Sequence, residues 1–377
     1  MVNVTLCVDA LAPNPGGIGR YTWELCKGLA GHDGVGAVTY FGRGQILEDP
    51  LRLLRDTKME PARSVWQRWR DKRVLRSSVV HGPNYFLPKF AESGVITIHD
   101  LSVFRFPETH PADRVQAFER EFQGSMSRAA QIITDTETVR RELIETFSVK
   151  SDLVTAIPLG VDPSFRPRPV EELTPVLEAW RLRAKQYGLC VSTLEPRKKI
   201  SELLAAWRRL PPALREKYPL VLCGGAGWRN GELRNQVRDG VAEGWLIYLG
   251  FVDERQLPVL YAGAALFVYP SIYEGFGLPP LEAMASGVPV VVSQHSCLPE
   301  VCGDAARYVD PDDADSFLLT LEQNLLDVDW RSDAVGKGLA RARQFSWTRC
   351  IDDTVDIYRK VAALASSRSA TSVLQSS

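Results

Sequence analysis

Two glutamates and a run of cations are the residues of this chain best suited to chemistry. In SIYEGFGLPPLEAMASGVPVVVS, residues 271–293, Glu274 and Glu282 bracket a loop containing Gly275 and Gly277. Pro279 and Pro280 then suit the first turn of a helix, where backbone amides are unpaired anyway. Fixed carboxylates accept hydrogen bonds from hydroxyls. Glycine lets a ligand approach the backbone closely, and a helix start presents amides and a positive dipole end to an anion. A ligand with both hydroxyls and phosphate, a nucleotide-sugar, meets all these groups at once. The plainer alternative is a strand–turn–helix connection in which Glu282 only favours the helix dipole; it leaves Glu274 and the two glycines without a role.

STLEPRKKI, residues 192–200, places Arg197, Lys198 and Lys199 between an apolar run and a helical pattern. Cations there can neutralise a departing diphosphate; the alternative is a solvated basic turn. His99 and Asp100 end the apolar stretch VITIHD. A lone histidine is more often structural, and Asp100 can simply cap the next turn. ALAPNPGGIGRY puts Gly16, Gly17 and Gly19 after the first apolar run, but Thr22 stands where a dinucleotide fingerprint needs its third glycine. Asp310-Pro311-Asp312 has the letters of a D-x-D metal pair, yet it reads as a turn and helix cap. No His/Cys cluster has zinc spacing, so no metal site is expected.

The elements that must position these residues alternate. Short apolar runs at residues 2–8, 37–41, 79–81, 95–98 and 131–134 are separated by helical patterns, and a second series runs through 188–194, 220–224, 246–249, 266–269, 288–292 and 307–309. Such alternation predicts two parallel sheets covered by helices. The proline-rich DPSFRPRPVEELTP between them reads as a linker. The tail ASSRSATSVLQSS reads as disordered.

The chain has 377 residues, 45% hydrophobic and 24% charged, with net charge -1. That profile suits two soluble domains and argues against a nucleic-acid partner. Seven scattered cysteines without a C-x-x-C pair suggest reduced thiols and a cytoplasmic setting. MVNVTLCVDA enters a strand directly, so no signal peptide is expected. Residues 61–78, PARSVWQRWRDKRVLRSS, interleave Trp66 and Trp69 with six cations. That composition suits a helix lying on anionic lipid or against a lipid-linked diphosphate; a solvated helix with buried tryptophans is the alternative.

The Glu274–Glu282 segment resembles the E-x7-E motif of the family-4 retaining glycosyltransferases, and the likeness extends along most of the chain. It implies a GT-B fold: two Rossmann-like domains facing a central cleft, with C-terminal helices crossing back to the first. The expected boundaries are 1–165 plus 350–366 for an acceptor-binding domain, 176–349 for a nucleotide-sugar-binding domain, and 367–377 for the tail. By resemblance, Glu274 binds the donor sugar's hydroxyls and Glu282 the ribose. Lys198 grips the diphosphate, with either Arg197 or Lys199 as its companion. Gly17, Val252, Gly275, Phe276, Gly277 and Leu278 offer backbone contacts to the donor. Gly224 to Gly227 end another strand of that domain and are candidates to line the nucleotide.

His99 lies near the transferred sugar by resemblance, without being assigned as a general base. Arg20, Tyr21 and Asp100 are the candidate acceptor contacts. HDLSVFRFPETHP and VHGPNYFLP resemble a subgroup that transfers mannose-like sugars in bacterial polysaccharide synthesis. This implies a GDP-mannose or GDP-6-deoxy donor, a lipid-linked saccharide acceptor at the inner membrane face, and no required cofactor. A UDP-sugar transferase, a non-catalytic nucleotide-sugar-binding module and a nicotinamide-dependent oxidoreductase are the rivals. The last leaves Glu274, Arg197 and Lys198 without function.

Overall fold

The computed structural model describes residues 1–13, 16–55, 71, 73–109, 112–225 and 231–374. The chain divides into two compact units, Met1–Gly160 with Ser346–Ser377, and Val161–Phe345.

The first unit holds β1 (Val2–Cys7), β2 (Val35–Gly42), β3 (Gln45–Leu47), β4 (Val79–Gly82), β5 (Gly94–Ile98), β6 (Ala129–Thr134) and β7 (Val154–Ala156), ordered β3-β2-β1-β4-β5-β6-β7. Only the β2–β3 pair is antiparallel. Val4, Leu6, Val95, Ile96 and Ile98 are fully buried, as befits a sheet covered on both faces. Helix α1 (Gly17–Leu29) follows β1, and α2 (Ala112–Met126) lies between β5 and β6.

The second unit holds β8 (Gly188–Val191), β9 (Leu220–Cys223), β10 (Leu246–Gly250), β11 (Leu266–Tyr269), β12 (Val290–Ser293) and β13 (Ala306–Val309). They are ordered β10-β9-β8-β11-β12-β13 and all parallel. Each sheet therefore reverses its strand order once, at β1/β4 and at β8/β11. Such a reversal opens a crevice at the strands' carboxyl ends, because the flanking connections depart in opposite directions.

Three sequence expectations are corrected. The segment read as a linker belongs to the second unit: Val170–Ala179 is a helix with Leu173 and Leu177 buried. This apolar pair, one turn apart on one face, outweighs the breaking tendency of Pro175. The C-terminal helix, α3 (Trp347–Leu374), runs on through most of the tail read as disordered. The unit boundaries fall at 160/161 and 345/346 rather than at 165/176 and 349/350.

Helix α3 is fastened to the first unit by a buried polar chain. His81 Nδ1 lies 2.6 Å from the Tyr358 hydroxyl, and its Nε2 lies 2.8 Å from Thr97 Oγ1. Thr97 Oγ1 in turn meets the Tyr21 hydroxyl at 3.0 Å. Burial first, and then the neighbouring His99, lower the His81 pKa to about 3. Its folded value lies below its unfolded value, so the native state binds fewer protons between about pH 6.5 and 3, and stability is lost as pH falls through that window. We expect about 2 kcal/mol to be lost between pH 6.5 and pH 5 on this account. Denaturant titrations at both pH values measure it. His81→Gln, which keeps both hydrogen-bonding capacities but does not titrate, should flatten that fall.

Candidate active site

The two chemistry-bearing segments emerge side by side at the β8/β11 reversal. After β8 the chain makes a 3-10 turn, Pro196–Lys198, and Lys199 takes a left-handed conformation, φ +53°, before the helix Ile200–Arg209. This reversal sends neighbouring side chains apart. Lys198 turns inward and is 7% exposed. Lys199 turns outward to Asp312 at 2.6 Å and Glu202 at 3.0 Å. The Arg197 carbonyl accepts from the Ile272 amide at 3.0 Å, and Arg197 Nη1 donates to the Tyr273 carbonyl at 2.8 Å, so the turn after β8 is tied to the loop after β11.

Glu274 sits in that loop, 9% exposed. Its Oε1 accepts from Lys198 Nζ and, at 2.7 Å, from the Tyr269 hydroxyl; its Oε2 lies 3.7 Å from Arg197 Nη1. Burial would raise the carboxyl pKa, but the Lys198 ammonium and the Arg197 guanidinium override it and leave the value lowered to about 2. Burial, and then Arg197, pull the Lys198 ammonium below its ordinary value, while Glu274 pulls it up. The result is a carboxylate that stays ionised, clamped by two cations. Arg197 thus lies with Lys198 beside Glu274, whereas Lys199 pairs with Glu202 and Asp312.

Gly277 then caps the helix Leu278–Ala285 at φ +106°. A left-handed turn of this kind calls for glycine. Pro279 and Pro280 bring no N–H, which leaves Leu278 as the first amide donor of the helix. Phe276 buries its ring against Phe345 at 5.6 Å and has only its backbone to offer a ligand. Glu282 is 4% exposed in this helix, which is buried along most of its length. Val252 follows β10, two strands from β8. Gly224 follows β9, while Ala226 and Gly227 lie outside the described residues.

In the first unit, His99 has both ring nitrogens committed. Nε2 faces the Pro83 carbonyl at 2.8 Å, which can only accept, and Nδ1 lies 2.7 Å from Asp135 Oδ2. Burial opposes a charged ring, yet the Asp135 carboxylate outweighs it and the His99 pKa is raised. Asp100 caps a short turn, its Oδ1 accepting from the Ser102 amide at 2.8 Å. Gly17 opens α1 at a helix start without a capping side chain. Arg20 is half-buried. Tyr21, expected as an acceptor contact, is corrected: it is 1% exposed, bonded to Thr97, and packed edge-on against His99 at 5.1 Å. The helical period of α1 turns it to the core.

Residues 15–165 match the family model Glycosyltransferase Family 4, and residues 181–337 match Glycosyl transferases group 1. The O-antigen chain mannosyltransferase B of Escherichia coli is 39% identical over 368 residues, spanning 91% of this chain and 96% of that protein. The chain belongs to glycosyltransferase family 4.

Other relatives of this glycosyltransferase agree. The serotype-specific mannosyltransferase WbdA of Escherichia coli is 31% identical across 67% of the chain, which spans 32% of WbdA's own length. The O-antigen chain mannosyltransferase RfbU of Salmonella typhimurium is 29% identical across 67% of each protein. Among solved structures, WaaG, a glycosyltransferase involved in lipopolysaccharide biosynthesis, superposes with TM-score 0.71 at 16% identity, covering 94% of this chain and 99% of that one. Anabaena Alr3699/HepE in complex with UDP-glucose gives 0.73, also at 16% identity, covering 96% and 100%. The glycosyltransferase has the GT-B fold.

Sequence reasoning missed Tyr269, whose hydroxyl holds Glu274 and accepts from Lys198 at 3.1 Å. A polar-tipped aromatic ending the apolar strand AALFVYP was the available signal. The Asp310-Pro311-Asp312 letters form a turn, with Asp310 Oδ1 accepting from the Asp312 amide at 3.0 Å. The basic, tryptophan-bearing stretch 61–78 lies outside the described residues except for Asp71 and residues 73–78. No described helix is long and apolar enough to cross a membrane.

Proposed function

We propose that this enzyme transfers mannose, with retention of anomeric configuration, from GDP-mannose to a lipid-linked saccharide during surface polysaccharide synthesis at the cytoplasmic membrane face. The convergence of Arg197, Lys198 and Glu274 at the β8/β11 reversal carries the reading. The names of the relatives support mannose, and the subgroup likeness of residues 80–88 and 99–111 supports a guanine nucleotide.

The carboxyl ends of β10, β9, β8 and β11 lie in one row, with strands about 4.8 Å apart. An elongated donor fits along it, the base by the Val252 backbone and the diphosphate by Lys198, Arg197 and the Leu278 amide. Glu282 takes the ribose and Glu274 the sugar hydroxyls. As the glycosidic C–O bond breaks, these cations and the helix end stabilise the leaving diphosphate, and no metal is required. On the same face of the sugar the acceptor oxygen bonds the anomeric carbon as the phosphate oxygen leaves it, and the acceptor's proton passes to that departing phosphate oxygen. His99, with its ring nitrogens already engaged, orients rather than deprotonates.

The acceptor has a matching crevice at the β1/β4 reversal of the first unit. A cavity of about 600 Å³ there is lined by Asp9, Asn84, Phe86, Lys89, Arg120 and Glu121, among others. Mixed acceptors and donors with one aromatic suit a neutral saccharide.

Incubating the protein with GDP-mannose or UDP-, ADP- and dTDP-sugars, a short mannose-terminated acceptor, and EDTA or none tests the reading. GDP release with an α-mannosyl product, unchanged by EDTA, is expected. Turnover of a UDP-sugar alone, or loss of activity on chelation, would overturn the donor or the metal-free mechanism respectively.

A further inference from the structure

The loop carrying Glu274 is held at its backbone by two residues outside every motif. Ser296 and Cys297 follow β12 and lead into the short helix Leu298–Cys302. Ser296 Oγ donates to the Glu274 carbonyl at 2.7 Å and accepts from the Glu274 amide at 3.2 Å. Both main-chain polar groups of the glutamate therefore close on one hydroxyl. The Cys297 thiol, fully buried, points at the carbonyls of Glu274, 3.2 Å away, and Phe276, 3.1 Å away. To reach this position Ser296 adopts φ +59°, a left-handed conformation in which glycine is at ease and serine is not. Strain of this kind persists where surrounding contacts over-determine it, and it clusters at functional sites.

A glutamate side chain has three rotatable bonds, and its carboxylate has a fixed direction only when both ends are held. Lys198 and Tyr269 hold one end; Ser296 holds the other. We propose that Ser296, supported by Cys297, is a positioning residue that fixes the Glu274 backbone and so aims its carboxylate for sugar transfer. This inference rests on the reading of Glu274 as the group that meets the donor sugar.

Three substitutions separate positioning from mere loop stability. Ser296→Gly relieves the backbone and deletes the hydroxyl. Ser296→Ala keeps the strain and deletes the hydroxyl. Ser296→Thr keeps the hydroxyl at a greater backbone cost, because a β-branched residue is ill suited to positive φ. In transfer assays kcat should stay near wild type for Thr and fall about tenfold or more for both Ala and Gly, as loosened geometry does at a reacting centre, with donor KM changing less. Melting temperature should rank otherwise: Gly near wild type, Ala and Thr below it. Activity that instead follows melting temperature, with Ser296→Gly as fast as wild type, would reduce Ser296 to a scaffold residue and overturn the proposal. Glu274→Gln assayed alongside separates the two levels. Full transfer by that variant sinks the reading of Glu274 itself, whereas its inactivity beside a fully active Ser296→Gly sinks only the positioning role.

Discussion

Glu274→Gln should leave a folded protein whose sugar transfer is slower by on the order of 10²- to 10³-fold, the scale expected when one preorganised charged group is removed from a reacting centre. The substitution keeps the shape and removes the charge. Lys198 and Arg197 then face each other without the anion that clamps them. Breaking a buried pair from one side costs about 3–5 kcal/mol, so the melting temperature of the second unit should fall as well. The pH dependence has a definite sign. The Glu274 pKa is lowered in the folded state to about 2, so its stabilising contribution is present above its unfolded value and lost as pH falls from about 4.5 towards 2. The Gln variant should lack that acid limb. Steady-state kinetics with GDP-mannose and denaturant titrations at pH 7 and pH 3 measure the two effects. A variant with unchanged kcat would remove Glu274 from the chemistry.

Gly224→Ala is expected to be the more damaging change to stability. Gly224 follows β9 at φ +134°, a conformation that side chains rarely adopt, and an added Cβ would lie 2.0 Å from the Ser192 carbonyl oxygen. That neighbour is backbone of the adjacent strand's end, not a side chain that can rotate away. The Gly224 amide is also bonded to the Gly250 carbonyl at 2.7 Å, so the strand end cannot swing out without breaking that bond. A loss above about 4 kcal/mol, concentrated in Val161–Phe345, should follow. Hydrogen exchange resolved by peptide reads it directly: protection should drop across β8, β9 and β10 and persist in β1, β4 and β5. Protection retained throughout would show that the strand ends yield more easily than their bonding implies.

The parallel sheets were legible because each central strand is a short, continuous apolar run, the pattern that burial on both faces demands. The edge strands β3 and β7, three residues each, were not read, since so few residues give no period. The helix at 170–179 was hidden by Pro167, Pro169 and Pro175, whose breaking tendency outweighs Leu173 and Leu177 until packing is counted. Glu274, Lys198 and the glycine-capped helix start were legible as residue types at the carboxyl ends of strands. The choice between Arg197 and Lys199 was not, because it turns on one left-handed residue that sends consecutive side chains to opposite sides.

By itself, then, the amino-acid sequence determined two nucleotide-binding-type sheets, a carboxylate pair on a glycine-bearing turn, and a basic turn able to face it, because apolar period and turn chemistry are local properties. Tertiary structure alone decided which cation meets the carboxylate, that Tyr269 and Ser296 hold its two ends, and that Tyr21 belongs to the core. Those outcomes depend on groups far apart in the chain, Lys198 and Tyr269 separated by 71 positions and Glu274 and Ser296 by 22, brought together only by the order of strands in the sheet.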